Sequence, residues 1–332
     1  MPSTFDLLVI GDANPDIVLG PLDTPLAFGQ REQLVDTGLL TLGGSGAIMA
    51  CGAARLGMKV AFAGRVGDDD AGRYVRSVLD ARGVNTDALR LDPGLPTPLT
   101  TVLTRAGDRA ILTAPGTLHA TTGDDVPEAL LADSRHVHAA SYFLMPALAE
   151  ALPGLMRVAR RHGATTSLDT NDDPSGTWRG DALDAVLAVT DILLPNAQEA
   201  IALAGLATGP VNGPADGPAT GPVLLDVAAA RLAALGPLVV VKNGADGALV
   251  HDGRSVLRTA GVPARPKDTV GAGDSFDAGF VTAILNGLGA TDALDLAAAC
   301  GALSTRAHGG TPAQPTWDEA QAAVARNGKN PS

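Results

Sequence analysis

Residues 267–280 read KDTVGAGDSFDAGF. Three small residues, Gly271, Ala272 and Gly273, stand before Asp274 and an apolar run that suits a helix. Small residues let backbone N–H groups converge at a helix N-terminus, where unsatisfied donors and the helix dipole form an anion pocket. Asp274 falls beside that pocket, in the first turn. A carboxylate there can take a proton from an attacking hydroxyl while the amides hold developing negative charge. A tight turn with an acidic residue complementing the helix dipole gives the same letters, so the rest of the chain has to choose.

From residue 273 to about 306 the chain reads almost entirely helical. Upstream, short β-rich runs at 7–12, 60–66, 136–141, 166–170, 192–195 and 238–242 alternate with helical stretches at 47–56, 71–82, 146–161, 198–204 and 227–235. Several of the runs are apolar on successive residues, as in strands buried on both faces. Strand–helix alternation predicts a parallel sheet with helices on both sides, an α/β fold. Two segments break the rhythm. Residues 16–42 and 97–114 hold β-type runs with no helix between them, and TTVLTRAGDRAILTA reads as a hairpin with its turn at 106–108. Together they predict a small second sheet projecting from the main layer. Between 207 and 222, Gly-Pro recurs every fourth residue, which predicts a surface insertion. The expected organisation is one domain over 1–332 with that insertion and the small sheet as additions.

Composition excludes several classes. The chain has 332 residues and 45% hydrophobic content, which is ordinary for a globular protein and wrong for a disordered or collagen-like one. Lys and Arg number 24 against 36 Asp and Glu, a net charge of −12, which argues against broad binding to nucleic acid or an anionic membrane. Two cysteines, Cys51 and Cys300, cannot make a disulfide framework or a zinc site alone. The six histidines show no ligand spacing. The first residues, MPSTFDLLVIGD, lack a basic targeting segment, and no uncharged stretch reaches the ~20 residues of a membrane span. The expectation is a soluble, cytoplasmic protein with no nucleic-acid or membrane partner.

The stretch DTVGAGDSFDAGFV resembles the C-terminal signature of the ribokinase-like sugar kinases of the phosphofructokinase-B type. Further blocks fall in that family's order over roughly 5–315. The resemblance implies a three-layer α/β/α fold with a mostly parallel central sheet and a small β-sheet lid. It implies Asp274 as catalytic base and Gly271, Ala272 and Gly273 as the anion hole. GDANPDIVL places Asn14 and Asp16 against substrate hydroxyls, and an acidic side chain can accept hydrogen bonds from two of them. GGSGAIMACGAARLG (43–57) matches the N-terminal signature, with Gly43, Gly44 and Ser45 near substrate. Ile48 stands where family members usually carry Asn, and Ser45 where ribokinases proper carry Lys, so ribose is not the expected acceptor. SLDTNDDP matches a strand end with Asp169 and Asn171, but Asp173 replaces the Arg of related sugar-acid kinases.

LLPNAQEA supplies Asn196 near the phosphates and Glu199 as a Mg²⁺ ligand through water; the same letters also make a capped helix start. VVVKNGADGALV resembles the nucleotide loop, with Lys242, Gly244, Gly247 and also Gly273 facing ATP. Asp268, Val270, Thr305 and Gly310 match the segments that in many members hold a monovalent cation, usually K⁺. The lid, over 16–42 and 97–114, brings Thr104 towards substrate and is often a dimer interface, which implies a homodimer. Phe143 follows a strand and lines the pocket, although aromatics there are commonly core.

The expected activity is transfer of the ATP γ-phosphoryl group to a hydroxyl of a small carbohydrate. A nucleoside kinase is the runner-up, short of stacking rings with only Tyr142 and Phe143 at hand. A nucleotide-responsive binding protein without turnover is the third reading. A dinucleotide-dependent oxidoreductase lacks the G-x-G-x-x-G turn. An acceptor already bearing phosphate would need basic groups; Arg105 and Arg109 flank the hairpin turn and are expected in solvent.

Overall fold

Leu7, Leu8, Val9 and Ile10 are apolar in succession and all fully buried. Successive side chains of a strand point to opposite faces, so such a run needs cover on both sides. Leu7 and Val9 join one hydrophobic core with Phe62, Phe276 and Phe280. Leu8 and Ile10 join a second core with Leu148, Leu152 and Leu232. The computed structural model, which describes residues 3–105, 108–180, 182–206 and 221–327, therefore has three layers.

In chain order the first half comprises β1 (Phe5–Ile10), β2 (Asn14–Gly20), β3 (Thr37–Gly43), α1 (Ser45–Arg55), β4 (Val60–Gly67), α2 (Asp70–Ala81), β5 (Asn85–Asp92), β6 (Leu99–Arg105) and β7 (Asp108–Ala114). There follow α3 (Glu128–Ala132), β8 (Ser134–Ala139), α4 (Pro146–Arg161), β9 (Thr165–Leu168), α5 (Leu183–Leu187), β10 (Ile192–Leu193) and α6 (Ala197–Leu203). The chain closes with α7 (Pro222–Ala233), β11 (Leu238–Lys242), β12 (Ala248–His251), β13 (Val256–Thr259), α8 (Ala272–Leu285), α9 (Ala290–Ser304) and α10 (Trp317–Asn327).

Nine strands form the central sheet in the order β13-β12-β11-β10-β9-β8-β1-β4-β5. All neighbours are parallel except β11–β12 and β12–β13. Four more strands, β3-β2-β6-β7, make the separate small sheet. Asp16 lies opposite Thr41 on β3 and Thr100 on β6. The main sheet, the helical layers and the projecting lid are thus as the sequence predicts. No helix among the described residues is long and apolar enough to cross a membrane.

Differences from the expected elements have local causes. β5, unread from sequence, buries only Thr86 and Leu89 of its eight residues at the sheet edge, so its apolar signal is thin. Helix α7 begins at Pro222, five residues before the expected start, because Pro at the first helical position loses no hydrogen bond and presets the backbone. The Gly-Pro insertion from 207 to 220 lies outside the described residues.

Parallel strands deliver their C-terminal ends to one side, where loops can converge. Five adjacent strands do so here. Asp12 follows β1, Ser141 follows β8, Asp169 and Asn171 follow β9, Asn196 follows β10, and Lys242 ends β11.

Candidate active site

Helix α8 opens at Gly271, whose φ of 70° is left-handed. The positive φ and two neighbours, Gly310 and Ile48, explain why that residue is glycine. A Cβ on Gly271 would lie 2.9 Å from Ile48 Cγ2 and 2.7 Å from Gly310 Cα; one on Gly310 would lie 2.5 Å from Ile48 Cδ1. Ile48 is therefore a buried wedge between the turn into α8 and the 309–310 loop. The first-turn amides of Gly273 and Asp274 precede the intrahelical bonding pattern, Ala272 N donates to the Thr269 carbonyl at 3.3 Å, and Asp274 is buried beside them. Burial pushes the Asp274 carboxyl up to about 7, against the opposing hydrogen bond from Ser45 Oγ to its Oδ1.

The other wall comes from the lid and α1. Asp16 is buried, its Oδ1 accepts from Asn14 Nδ2 at 2.8 Å, and burial lifts its carboxyl to about 7. A Cβ on Gly43 would fall 1.9 Å from Asp16 Oδ1, so the carboxylate lies directly on the Gly43 backbone. Gly44, at φ 87°, passes 2.7 Å (from its would-be Cβ) above Ala13 Cα. Asn14, Asp16, Gly43, Gly44, Ser45 and Asp274 thus come together. Thr104 does not join them. Four residues beyond Thr100, about 13 Å of strand, it donates to the Leu19 carbonyl at the far end of the lid. Phe143 packs edge-on against Tyr142 and Trp178, with centroids 5.1 and 5.5 Å apart.

Beneath the α8 turn sits Lys242. Its ammonium is 2.6 Å from Asp169 Oδ2 and 2.9 Å from Asp277 Oδ2, all three buried. Burial alone would depress the Lys242 pKa, but the two carboxylates raise it above the usual ammonium range. Burial would raise Asp169 as well; the ammonium holds it below the ordinary carboxylate range. Burial keeps Asp277 well above that range, and its Oδ1 has no hydrogen-bond partner. A would-be Cβ on Gly273 lies 3.6 Å from Lys242 Nζ, so the positive charge stands just behind the α8 turn.

Lys242 also lines a cavity of about 320 Å³ with Gly244, Gly247, Ala272, Gly273, Phe276 and Thr305. Its walls are small and apolar, as a flat heterocycle requires. Lys242, Gly244, Gly247 and Gly273 all line it, and the Lys242 ammonium is turned into its ion pairs. Asn196 is paired with Lys242 by a parallel bridge, and its side chain forms a reciprocal cap with Glu199: Asn196 N donates to Glu199 Oε2 at 2.7 Å, and Glu199 N to Asn196 Oδ1 at 2.9 Å. Burial, reinforced by Asp169, lifts the Glu199 carboxyl to about 8.

Asp268 bridges two loops, accepting Val270 N at 3.0 Å and Gly309 N at 2.9 Å. The Thr305 carbonyl accepts Lys267 N at 2.8 Å and Asp268 N at 3.3 Å. Asp173 organises its own loop, accepting from Ser175 N and Trp178 N at 2.9 and 2.6 Å. His136 and His138 share Ser167 Oγ, and burial pushes them down to about 3 and about 4, so both are neutral.

Three participants were not legible as site residues. Asp277 reads as an ordinary helix residue, although a buried Lys242 demands partners. Ser141 reads as a strand end. Arg109, exposed on β7, nonetheless places Nη1 3.4 Å from Thr269 Oγ1, joining the lid to the loop before α8.

The sequence model of the pfkB family carbohydrate kinase matches residues 4–317. The chain belongs to the pfkB family of carbohydrate kinases. An ATP-dependent ribose-1-phosphate kinase of Halopiger xanaduensis is 30% identical over 94% of this chain and 95% of its own length. A fructokinase of Vibrio alginolyticus is 31% identical over 83% and 89%. The structure of Arabidopsis thaliana ribokinase complexed with ribose and ATP superposes with a TM-score of 0.80, at 25% identity, over 98% of this chain and 99% of that one.

Within this pfkB fold the Gly271 turn makes a sharp demand. Gly271→Ala should lower stability by about 1–3 kcal/mol, from the positive φ and the contact with Gly310. Turnover should fall by more than stability alone explains. Urea titration and steady-state kinetics at 25 °C check both.

Proposed function

We propose that this pfkB kinase transfers the γ-phosphoryl group of ATP to a hydroxyl of a small neutral-faced carbohydrate. The observation that carries the reading is the buried Asp274 beside the first-turn amides of α8, with Asp16 across from it. Asp16 and Asn14 bind acceptor hydroxyls, Asp16 as hydrogen-bond acceptor. ATP lies with its base in the 320 Å³ cavity and its phosphates at the α8 turn. Asp274 takes the proton of the acceptor hydroxyl; that oxygen bonds to the γ-phosphorus as the bond to the β-phosphate oxygen breaks, and ADP leaves. The 271–273 amides, with Lys242 behind them, face the charge spread over the transferring group.

The donor chemistry fits Mg²⁺. Buried carboxylates outnumber the single ammonium beside them, one of their oxygens lacks a partner, and hard oxygen donors suit a hard cation that keeps its waters. Glu199 would hold the ion through water, and bound there it would neutralise phosphate charge. A monovalent cation fits less well. Both Asp268 oxygens and the Thr305 carbonyl are engaged by backbone N–H groups.

The lid suggests association. Leu40, Ile111 and Leu112 are each more than half exposed on it, and Phe28, in the loop joining its first two strands, is 92% exposed. Exposed apolar surface of this kind is usually covered by a partner, and we assign a second copy of the chain to it. Light scattering should give a dimer, and Ile111→Asp should shift it to monomer. A monomeric wild type at micromolar concentration would overturn this.

The activity is tested by coupled ADP release with Mg²⁺·ATP and, in turn, ribose 1-phosphate, ribose, fructose and adenosine. Asp274→Asn should cut turnover at least ~10³-fold while ATP binding changes little. Near-normal turnover in that variant sinks the assignment. A response to adenosine alone would favour the nucleoside reading. The pH profile has a predicted sign: Asp274 and Asp16 must both be ionised, and burial pushes both carboxyls up to about 7. Catalytic efficiency should therefore fall below pH 7, with a logarithmic slope rising towards two; a flat profile down to pH 5.5 would contradict it.

A further inference from the structure

Asp274 is the end of a hydrogen-bonded chain that crosses four loops. Its Oδ1 accepts from Ser45 Oγ. Ser45 Oγ accepts from Asn171 Nδ2 at 2.9 Å. Asn171 Oδ1 accepts from the backbone N–H of Ser141 at 2.7 Å. Ser141 Oγ donates to Asp12 Oδ1 at 2.8 Å. Asp12 closes the circuit by accepting the N–H groups of Ser45 and Gly46 at 3.2 and 3.0 Å, which fixes the start of α1.

The chain has one polarity. A backbone N–H can only donate, so the atom of Asn171 facing Ser141 N is the carbonyl oxygen. The Asn171 nitrogen is then turned to Ser45, and it too can only donate. Ser45 oxygen receives that bond, so its own proton points to Asp274. One oxygen of the base is thereby bonded and the other is left for an incoming hydroxyl.

The backbone supports the same arrangement. Asn171 and Ser141 have φ of 53° and 59°, the left-handed region that residues other than glycine seldom enter. Both lie in this chain and touch each other through one of its bonds. Conformations of that kind persist where the surroundings over-determine them.

We propose that Ser45 and Asn171 are positioning residues of the transfer reaction, orienting the Asp274 carboxylate through a chain anchored on Ser141 and Asp12. The proposal rests on Asp274 being the base. It assigns Ser45 to the base more than to the acceptor, and it gives Asn171 a task that does not involve the sugar.

The test uses Ser45→Ala, Asn171→Gly, the double variant and Ser45→Thr. Glycine at 171 keeps the left-handed backbone available and removes only the amide. The assay uses whichever acceptor of the panel above the wild type turns over fastest, or ATP hydrolysis to water if it turns over none. Each single variant should lower kcat by about 30-fold, with the KM for ATP within about twofold, because an interaction that orients the base acts on the chemical step. The double variant should be no slower than the slower single one, since both break the same chain. Ser45→Thr, which keeps the hydroxyl, should recover most of the rate.

Wild-type kcat in Ser45→Ala would overturn the proposal. So would a raised acceptor KM at unchanged kcat, which would make Ser45 a binding group, or multiplicative losses in the double variant. If Asn171→Gly fails to fold, the Ser45→Ala and Ser45→Thr pair decides alone. The two readings fail separately. Turnover surviving in Asp274→Asn removes the base itself, whereas loss there with full kcat in Ser45→Ala removes only the positioning role.

Discussion

Lys242 ends a buried strand with its ammonium 2.6 Å from Asp169 and 2.9 Å from Asp277. Without that charge, the end of β9 and the first turns of α8 would bring uncompensated carboxylates together in a buried space. Breaking a buried pair by removing one partner typically costs about 3–5 kcal/mol, because the remaining charge is stranded. The ammonium does more than balance charge. It fixes the height of α8 against the sheet, and so the place where the glycine turn, the first-turn amides and Asp274 lie.

The same constraint explains the division of labour among the carboxylates. Asp169, closest to the ammonium, is held ionised. Asp277 and Glu199, also buried, are pushed upward by burial. Asp274, without a cation of its own, is brought to about 7 by burial and restrained by Ser45. Residues of one chemical type thus acquire different protonation behaviour from their distance to one cation and from their hydrogen bonds.

Much of this was legible in the sequence because it depends on local rules. A glycine with positive φ at a helix start, a succession of apolar residues in a doubly covered strand, and a two-segment β excursion all leave marks within ten or twenty residues. Helix α4 was readable to its ends, with Pro146 at its start and basic residues at its close. The chain from Asp12 to Asp274 was not readable. Ser45 and Asn171 are 126 residues apart, and nothing in either neighbourhood names the other. Asn196 and Glu199 show a different limit: a helix cap and a phosphate-side position use the same letters, and the structure has the cap formed. Thr104 was expected near substrate from the resemblance of the whole lid segment, which does not give a residue's distance along its strand, and it bonds the Leu19 carbonyl instead.

The wedge formed by Ile48 has a consequence for how this chain can change over time. Its branched side chain occupies the space that a Cβ on Gly271 or Gly310 would need. The three positions therefore share one volume, though they lie on separate segments. A bulkier residue at 310 is barred while Ile48 stays, one at 271 is barred by Ile48, by Gly310 and by its positive φ, and a smaller residue at 48 would open a void that neither glycine can fill. Drift at any one of them is conditional on the other two. Variation has freer ground on the lid strands, where most side chains can be exchanged without disturbing the turn into α8.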